Sequence, residues 1–161
     1  MMIEPILASL QDQIVKTSNS YGMTEIEVVP SELVSVVQAL MTHPDMPFTF
    51  LTDLCGIHLL EPTPRIGIVL HLHCLQTNTR LRLKCFSEKV DSPTLPSLTS
   101  LFSGANWMER EAYDFYGIQF VGHPNLCRIL NEDGLTIFPM RKEYPLEDAT
   151  RQDKNDSMFG R

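Results

Sequence analysis

Apolar residues recur at three- and four-residue steps at the start of the chain. Ile3, Ile6, Leu7, Leu10 and Ile14 fall on one stripe, which predicts an amphipathic helix over residues 3–17. Asn19 to Gly22 break that pattern, and residues 24–29 read as a short strand. Pro30 and Ser31 then open a second helix, whose Leu33, Val34, Val36, Val37, Leu40 and Met41 form a broad face to bury before His43-Pro44 ends it.

From Phe48 the period changes toward two. Phe48, Phe50 and Leu54 approach a sheet, and Ile66, Ile68, Leu70, Leu72 and Cys74 alternate with Gly67, Val69, His71 and His73. A second run sets Leu81, Leu83 and Cys85 against Arg80, Arg82 and Lys84, so the two runs form an antiparallel hairpin around Gln76-Thr77-Asn78 with one wet face. Pro93 and Pro96 interrupt the sheet region, and residues 97–102 fit a short helix.

The densest stretch follows. Asn106 and Glu109 have capping-box spacing, Trp107 begins a helix of about ten residues, and Gly117 is a left-handed terminator. Ala105, Met108, Ala112, Phe115 and Tyr116 share the core side of this helix. Trp107, the one tryptophan of the chain, lines up instead with Arg110, Glu111 and Asp114. Two readings stand side by side. Trp107 lies over the stem of Arg110 on a solvated face with Arg110 and Asp114 as an exposed pair, or it anchors a partner, since Trp and Arg dominate interface hot spots. Glu109, Glu111 and Asp114 also resemble catalytic acids, but no nucleophile, phosphate cradle or metal set accompanies them.

Composition narrows the classes. The 161 residues suit one α+β domain, with helices before residue 45 packed on a small, mainly antiparallel sheet. Thirteen Lys and Arg against twenty Asp and Glu leave a net charge of -7 without a basic run, which argues against nucleic acid as a partner. No window resembles a spanning helix or a signal peptide, so the chain is expected to face the cytosol without entering the membrane. Cys55, Cys74, Cys85 and Cys127 are too scattered for a zinc or iron–sulfur set and read as reduced, packed thiols.

His71 and His73 share a strand face and fit either a half-exposed surface or a metal site. His123, between Gly122 and Pro124, is a turn residue whose ring bonds backbone or a carboxylate, or takes part in a proton relay. Arg128, Arg141 and Lys142 either neutralise the helix acids or meet a partner. After Leu146 the composition turns polar, so the domain is read as residues 1–146 and residues 147–161 as a tail that orders against a partner or not at all.

Trp107-Met108-Glu109-Arg110-Glu111-Ala112-Tyr113-Asp114-Phe115-Tyr116-Gly117-Ile118, then Phe120-Val121-Gly122-His123-Pro124-Asn125-Leu126 and Arg128-Ile129-Leu130, resemble the signature of the C subunit of respiratory complex I, the thirty-kilodalton subunit family. Residues 50–56 and 141–146 resemble its flanking segments. Ile137-Phe138 stand where the family usually has Gly-His, Met140 replaces Leu, Glu143 replaces Asp, and His58 takes a place often held by Asp. The resemblance implies a non-catalytic α+β subunit of the peripheral arm of an NADH:quinone oxidoreductase, on the cytoplasmic side of the membrane. It implies no flavin, cluster or metal in this chain, and packing against the D subunit of that complex near the quinone site. Trp107, Glu109, Arg110, Glu111, Asp114, His123, Arg128, Arg141 and Lys142 are then its expected interface residues. An equivalent scaffold in a membrane hydrogenase, formate-linked or ferredoxin-linked complex is the alternative, and an independent enzyme or metal-binding domain a third reading.

Overall fold

The computed structural model describes residues 3–144. The two alternating runs become β4 (Arg65–Cys74) and β5 (Thr79–Phe86), antiparallel, with Leu70 opposite Leu83 and Leu72 opposite Leu81. The turn between them is tight because Asn78 takes a positive φ of 51°, a conformation Asn tolerates better than most residues. Ile66, Ile68, Leu70, Leu72, Leu81 and Leu83 are all fully buried on the inner face, while His71, Arg82 and Lys84 lie on the other, half-exposed face.

β3 (Phe50–Leu59) pairs antiparallel with β4, and β2 (Met23–Val28) pairs parallel with β5. The sheet order is β1-β2-β5-β4-β3, so three of its four pairings are antiparallel, and the parallel pair needs the long excursion through the second helix and β3–β4. That helix, α2 (Leu33–Met41), follows a 3-10 turn at Pro30–Glu32 and buries Leu33, Val36, Val37 and Leu40 completely in the core of the sheet's inner face. This is the predicted face.

Two expectations need correction. The first helix does not reach residue 17: α1 (Glu4–Ser9) gives way to a 3-10 turn at Gln11–Gln13 and then to β1 (Ile14–Ser20) on the edge of the sheet. Ile3, Ile6 and Leu10 do enter the core, but Val15, Thr17, Ser18 and Asn19 are weak helix formers, and the free edge of β2 offers their backbone a ladder. Residues 97–102 are likewise not a helix. They form turns, with Leu101 and Phe102 N–H both donating to the Leu98 carbonyl. The preceding residues instead make β6 (Thr94–Pro96), which pairs in parallel with β7 (Gln119–Val121) in a small second sheet.

Between those two short strands runs α3 (Ala105–Tyr116), whose C-terminal half lies against β3. Gly56 makes this approach possible, because a Cβ there would overlap the Tyr116 ring. The proposed boundary at residue 146 and the polar tail lie outside the described residues.

Candidate interface around the third helix

α3 begins two residues earlier than its capping pattern suggests. Gly104 occupies the cap position without a side-chain bond, so Asn106 is already helical and the predicted capping box does not form. Glu109 turns inward instead. Its carboxylate is fully buried and accepts from the Leu98 N–H and the Ser97 hydroxyl, each at 2.7 Å, which fastens the 97–102 turns to the helix. Burial pushes its pKa up, and the two hydrogen bonds only partly offset that.

An acid whose folded pKa is raised stabilises most at low pH and loses that contribution as pH rises through the folded pKa. Glu109→Gln keeps one acceptor and one polar partner without the charge, so its unfolding free energy at pH 7 is expected within about 1 kcal/mol of wild type. It should improve relative to wild type as pH rises. Glu109→Ala strands the buried Leu98 N–H and removes one partner of Ser97, whose hydroxyl keeps its bond to Thr99, and should cost about 1–3 kcal/mol. Urea titrations at several pH values check both.

Asp114 is also fully buried and is not the exposed partner of Arg110. It accepts from Arg128 Nη1 at 2.8 Å, from the backbone N–H groups of Ile129, Leu130 and Asn131 at 3.1, 2.8 and 3.0 Å, and from Asn131 Nδ2 at 3.0 Å. Burial alone would raise its pKa, but these donors outweigh it and hold the carboxyl well below the usual carboxylate range. Arg128 adds bonds to the carbonyls of Asp114, Leu135 and Ile137, so the pair draws the whole 128–137 loop over α3.

Arg110 binds the start of the same loop. Its Nε donates to the Cys127 carbonyl at 3.1 Å, and its Nη2 reaches Cys127 Sγ and the Arg128 carbonyl. The guanidinium lies 4.7 Å from the Trp107 ring centroid, and the indole is 63% exposed. Trp107 thus stacks on Arg110, as one of the two sequence readings has it, with the loop gripping the arginine and the tryptophan facing out. Glu111 is exposed beside it, while of the predicted stripe Ala105 and Ala112 are buried, Met108 and Tyr116 pack partly buried against the core, and Phe115 is half-buried outside it.

His123 engages both ring nitrogens with backbone. Nδ1 accepts from Asn125 N–H at 3.0 Å, which leaves Nε2 to donate to the Asn106 carbonyl at 3.1 Å. Arg141 caps the other end of the helix, donating from Nε to the Tyr116 carbonyl at 2.7 Å. The Phe138 ring fills the space beside Gly117, with the Arg128 and Arg141 guanidinium groups 5.0 and 5.2 Å from its centroid. The basic group thus divides. Arg128 and Arg141 are nearly buried in internal roles, whereas Lys142 is exposed.

Glu109, Asp114, Arg128 and Arg141 accordingly build the surface without presenting themselves on it. What faces outward is Trp107 on its Arg110 seat, Glu111 and Lys142, with Val121 and Leu130 exposed nearby in sequence. Sequence reasoning missed the Asp114 hub. Its one visible signal was an acid on the far side of the helix followed fourteen residues later by an arginine.

The histidine pair on the sheet is tied up separately. Arg82 Nε donates to His71 Nε2 at 3.0 Å, and His73 Nε2 meets Asn78 Oδ1 at 3.1 Å. Among the described residues, no group of three or more His, Cys, Asp or Glu side chains has the geometry to hold a metal ion. Cys74 and Cys85 are buried as expected, but Cys55 is exposed and Cys127 half-exposed. None of the described helices is long and apolar enough to cross a membrane.

Comparison with known proteins bears on this geometry directly. A family described as respiratory-chain NADH dehydrogenase, 30 Kd subunit, matches residues 26–150. The NADH-quinone oxidoreductase C subunit 2 of Rhizobium etli (strain CIAT 652) is 42% identical over 142 residues, covering 88% of this chain and 75% of that one. The NADH-quinone oxidoreductase C subunit of Roseiflexus sp. (strain RS-1) is 38% identical, covering 90% and 83%. Among solved structures, a trypsin-resistant fragment of Nqo5 aligns with TM-score 0.62 at 26% identity, over 78% of this chain and 100% of the fragment. A chain of the membrane-bound sulfane sulfur reductase, an archaeal respiratory membrane complex, aligns with TM-score 0.72 over 91% and 87% at 18% identity, a likeness of fold alone. The helix, the His123 turn and the Arg128 loop all fall inside the matched region, and the chain belongs to the family of the respiratory-chain NADH dehydrogenase 30 Kd subunit, the C subunit of NADH-quinone oxidoreductase.

Proposed function

We propose that this chain works without chemistry of its own, as a peripheral-arm subunit of a membrane-bound NADH:quinone oxidoreductase that holds the D subunit in place near the quinone-reaction region. Its partners are the other subunits of that complex, and it sits on the cytoplasmic face of the membrane without entering it. It carries no flavin, cluster or metal. The observation behind this reading is the Trp107–Arg110 stack: a largely exposed indole whose neighbour is clamped at 3.0–3.2 Å by the 127–128 loop. Holding Arg110 in advance as a seat for the indole removes part of the ordering cost of association, which suits a permanent contact.

Relatives at about 40% identity that are named as the C subunit of NADH-quinone oxidoreductase favour an NADH-linked complex over the hydrogenase-like alternative. Because Arg110 also organises the loop, Trp107→Ala is the cleaner test of the surface. Co-purification of tagged Trp107→Ala with the D subunit should fall at least about tenfold, as expected for loss of a hot spot, with urea stability unchanged within about 0.5 kcal/mol. Undiminished capture of the D subunit would refute the assignment of this face.

A further inference from the structure

We propose that His58 is a pH-sensitive latch, holding the strap of residues 138–142 against β3 at neutral pH and releasing it on acidification. The strap runs from β3 across the C-terminal end of α3 and carries Met140, Arg141 and Lys142. Its bonds to the helix are Met140 N–H to the Phe115 carbonyl at 3.1 Å and Arg141 Nε to the Tyr116 carbonyl at 2.7 Å. Its hydrogen bond to the sheet, the only one among the described residues, runs from Lys142 N–H to His58 Nδ1 at 3.1 Å. The hydrogen-bonded connection between strap and sheet thus depends on one imidazole lone pair, with Met140 lining the same cleft as Cys55 and Gly56.

His58 faces inward on β3, opposite Ile66, and is 5% exposed. Because Nδ1 accepts, the ring proton sits on Nε2, which is buried without a partner. Protonating Nδ1 would set one N–H against another at the Lys142 amide and leave an imidazolium with two buried donors and no acceptor.

The surroundings do not rescue that cation. The strap brings Arg141 and Lys142, which oppose it, and Glu143, which favours it but is half exposed and already paired with Arg141 at 3.4 Å. β4 presents apolar Ile66, and α3 places Tyr116 over Gly56, two positions along β3. Burial is the largest influence and lowers the His58 pKa. A histidine with a lowered folded pKa favours the fold while neutral, so the latch is complete above the ordinary imidazole value of about 6.5 and weakens as pH falls below it.

Hydrogen exchange on the full chain, with rates corrected for intrinsic pH dependence, tests this at about pH 7.5 and about pH 5. Protection of the strap amides should fall about tenfold at the lower pH, the scale of one lost hydrogen bond with added repulsion. The midpoint of that fall should coincide with the His58 ring titration followed by NMR. His58→Asn retains an acceptor at every pH and should abolish the fall. Equal strap protection at both pH values, a midpoint more than about one unit from that of His58, or the same fall in a folded His58→Asn chain would each overturn the latch. The two wild-type measurements decide the matter even if that variant does not fold.

Discussion

Asp114→Ala is expected to lower the unfolding free energy by about 3–5 kcal/mol, the usual cost of removing one member of a buried ion pair. The residue left behind is Arg128, whose side chain is 8% exposed, together with three backbone N–H groups and the Asn131 amide that converge on the missing carboxylate. Damage should spread along the 128–137 loop, because Arg128 also ties down the Leu135 and Ile137 carbonyls. Asp114→Asn preserves shape and one acceptor oxygen and should cost less.

The pH dependence gives the prediction a second handle. The folded pKa of Asp114 is depressed, so its stabilisation is complete above the unfolded value of about 3.9 and is lost as pH falls toward the folded value. The gap between wild type and Asp114→Ala should therefore narrow in urea titrations below about pH 4. A deficit under about 1 kcal/mol at pH 7 would mean that this cluster of donors does not hold the loop.

The same cluster marks where reading from sequence stops. Alternation in residues 66–74 and 81–85 located two strands and their buried faces, because a half-buried strand must place its apolar residues at every second position. Gly117 located the end of α3 for an equally local reason, since its φ of 73° is the left-handed stop. A helical wheel also put Trp107 and Asp114 away from the core stripe, which is right for direction. It does not say what covers that side. The loop that buries Asp114 starts thirteen residues later at Cys127, and its contact depends on chain-distant backbone donors, not on periodicity.

The capping pair failed in a related way. Asn106 and Glu109 have the right spacing, but two buried donors at residues 97 and 98 attract Glu109 more strongly than a solvent-accessible helix end does. Ile14 kept step with the first helix by spacing alone, while the residues after it suit a strand with a waiting neighbour. In both places a partner distant in sequence decides what local spacing alone left open.

Gly117 carries the second large effect, because two independent constraints meet on its missing side chain. In Gly117→Ala the left-handed backbone conformation costs about 1–2 kcal/mol. A Cβ in that position would also stand 2.5 Å from Cε2 of Phe138, far inside contact distance, so the ring must move, and overpacking of this kind adds about 1–3 kcal/mol. The two contributions separate in a double-mutant cycle with Phe138→Ala. In that background the three nearest atoms to the methyl are gone, and the cost of Gly117→Ala should shrink toward the backbone part. The coupling measures how far the bulky ring has made the helix terminator depend on it. An undiminished cost in the Phe138→Ala background would show that the terminator is set by backbone conformation only and that the ring adapts freely.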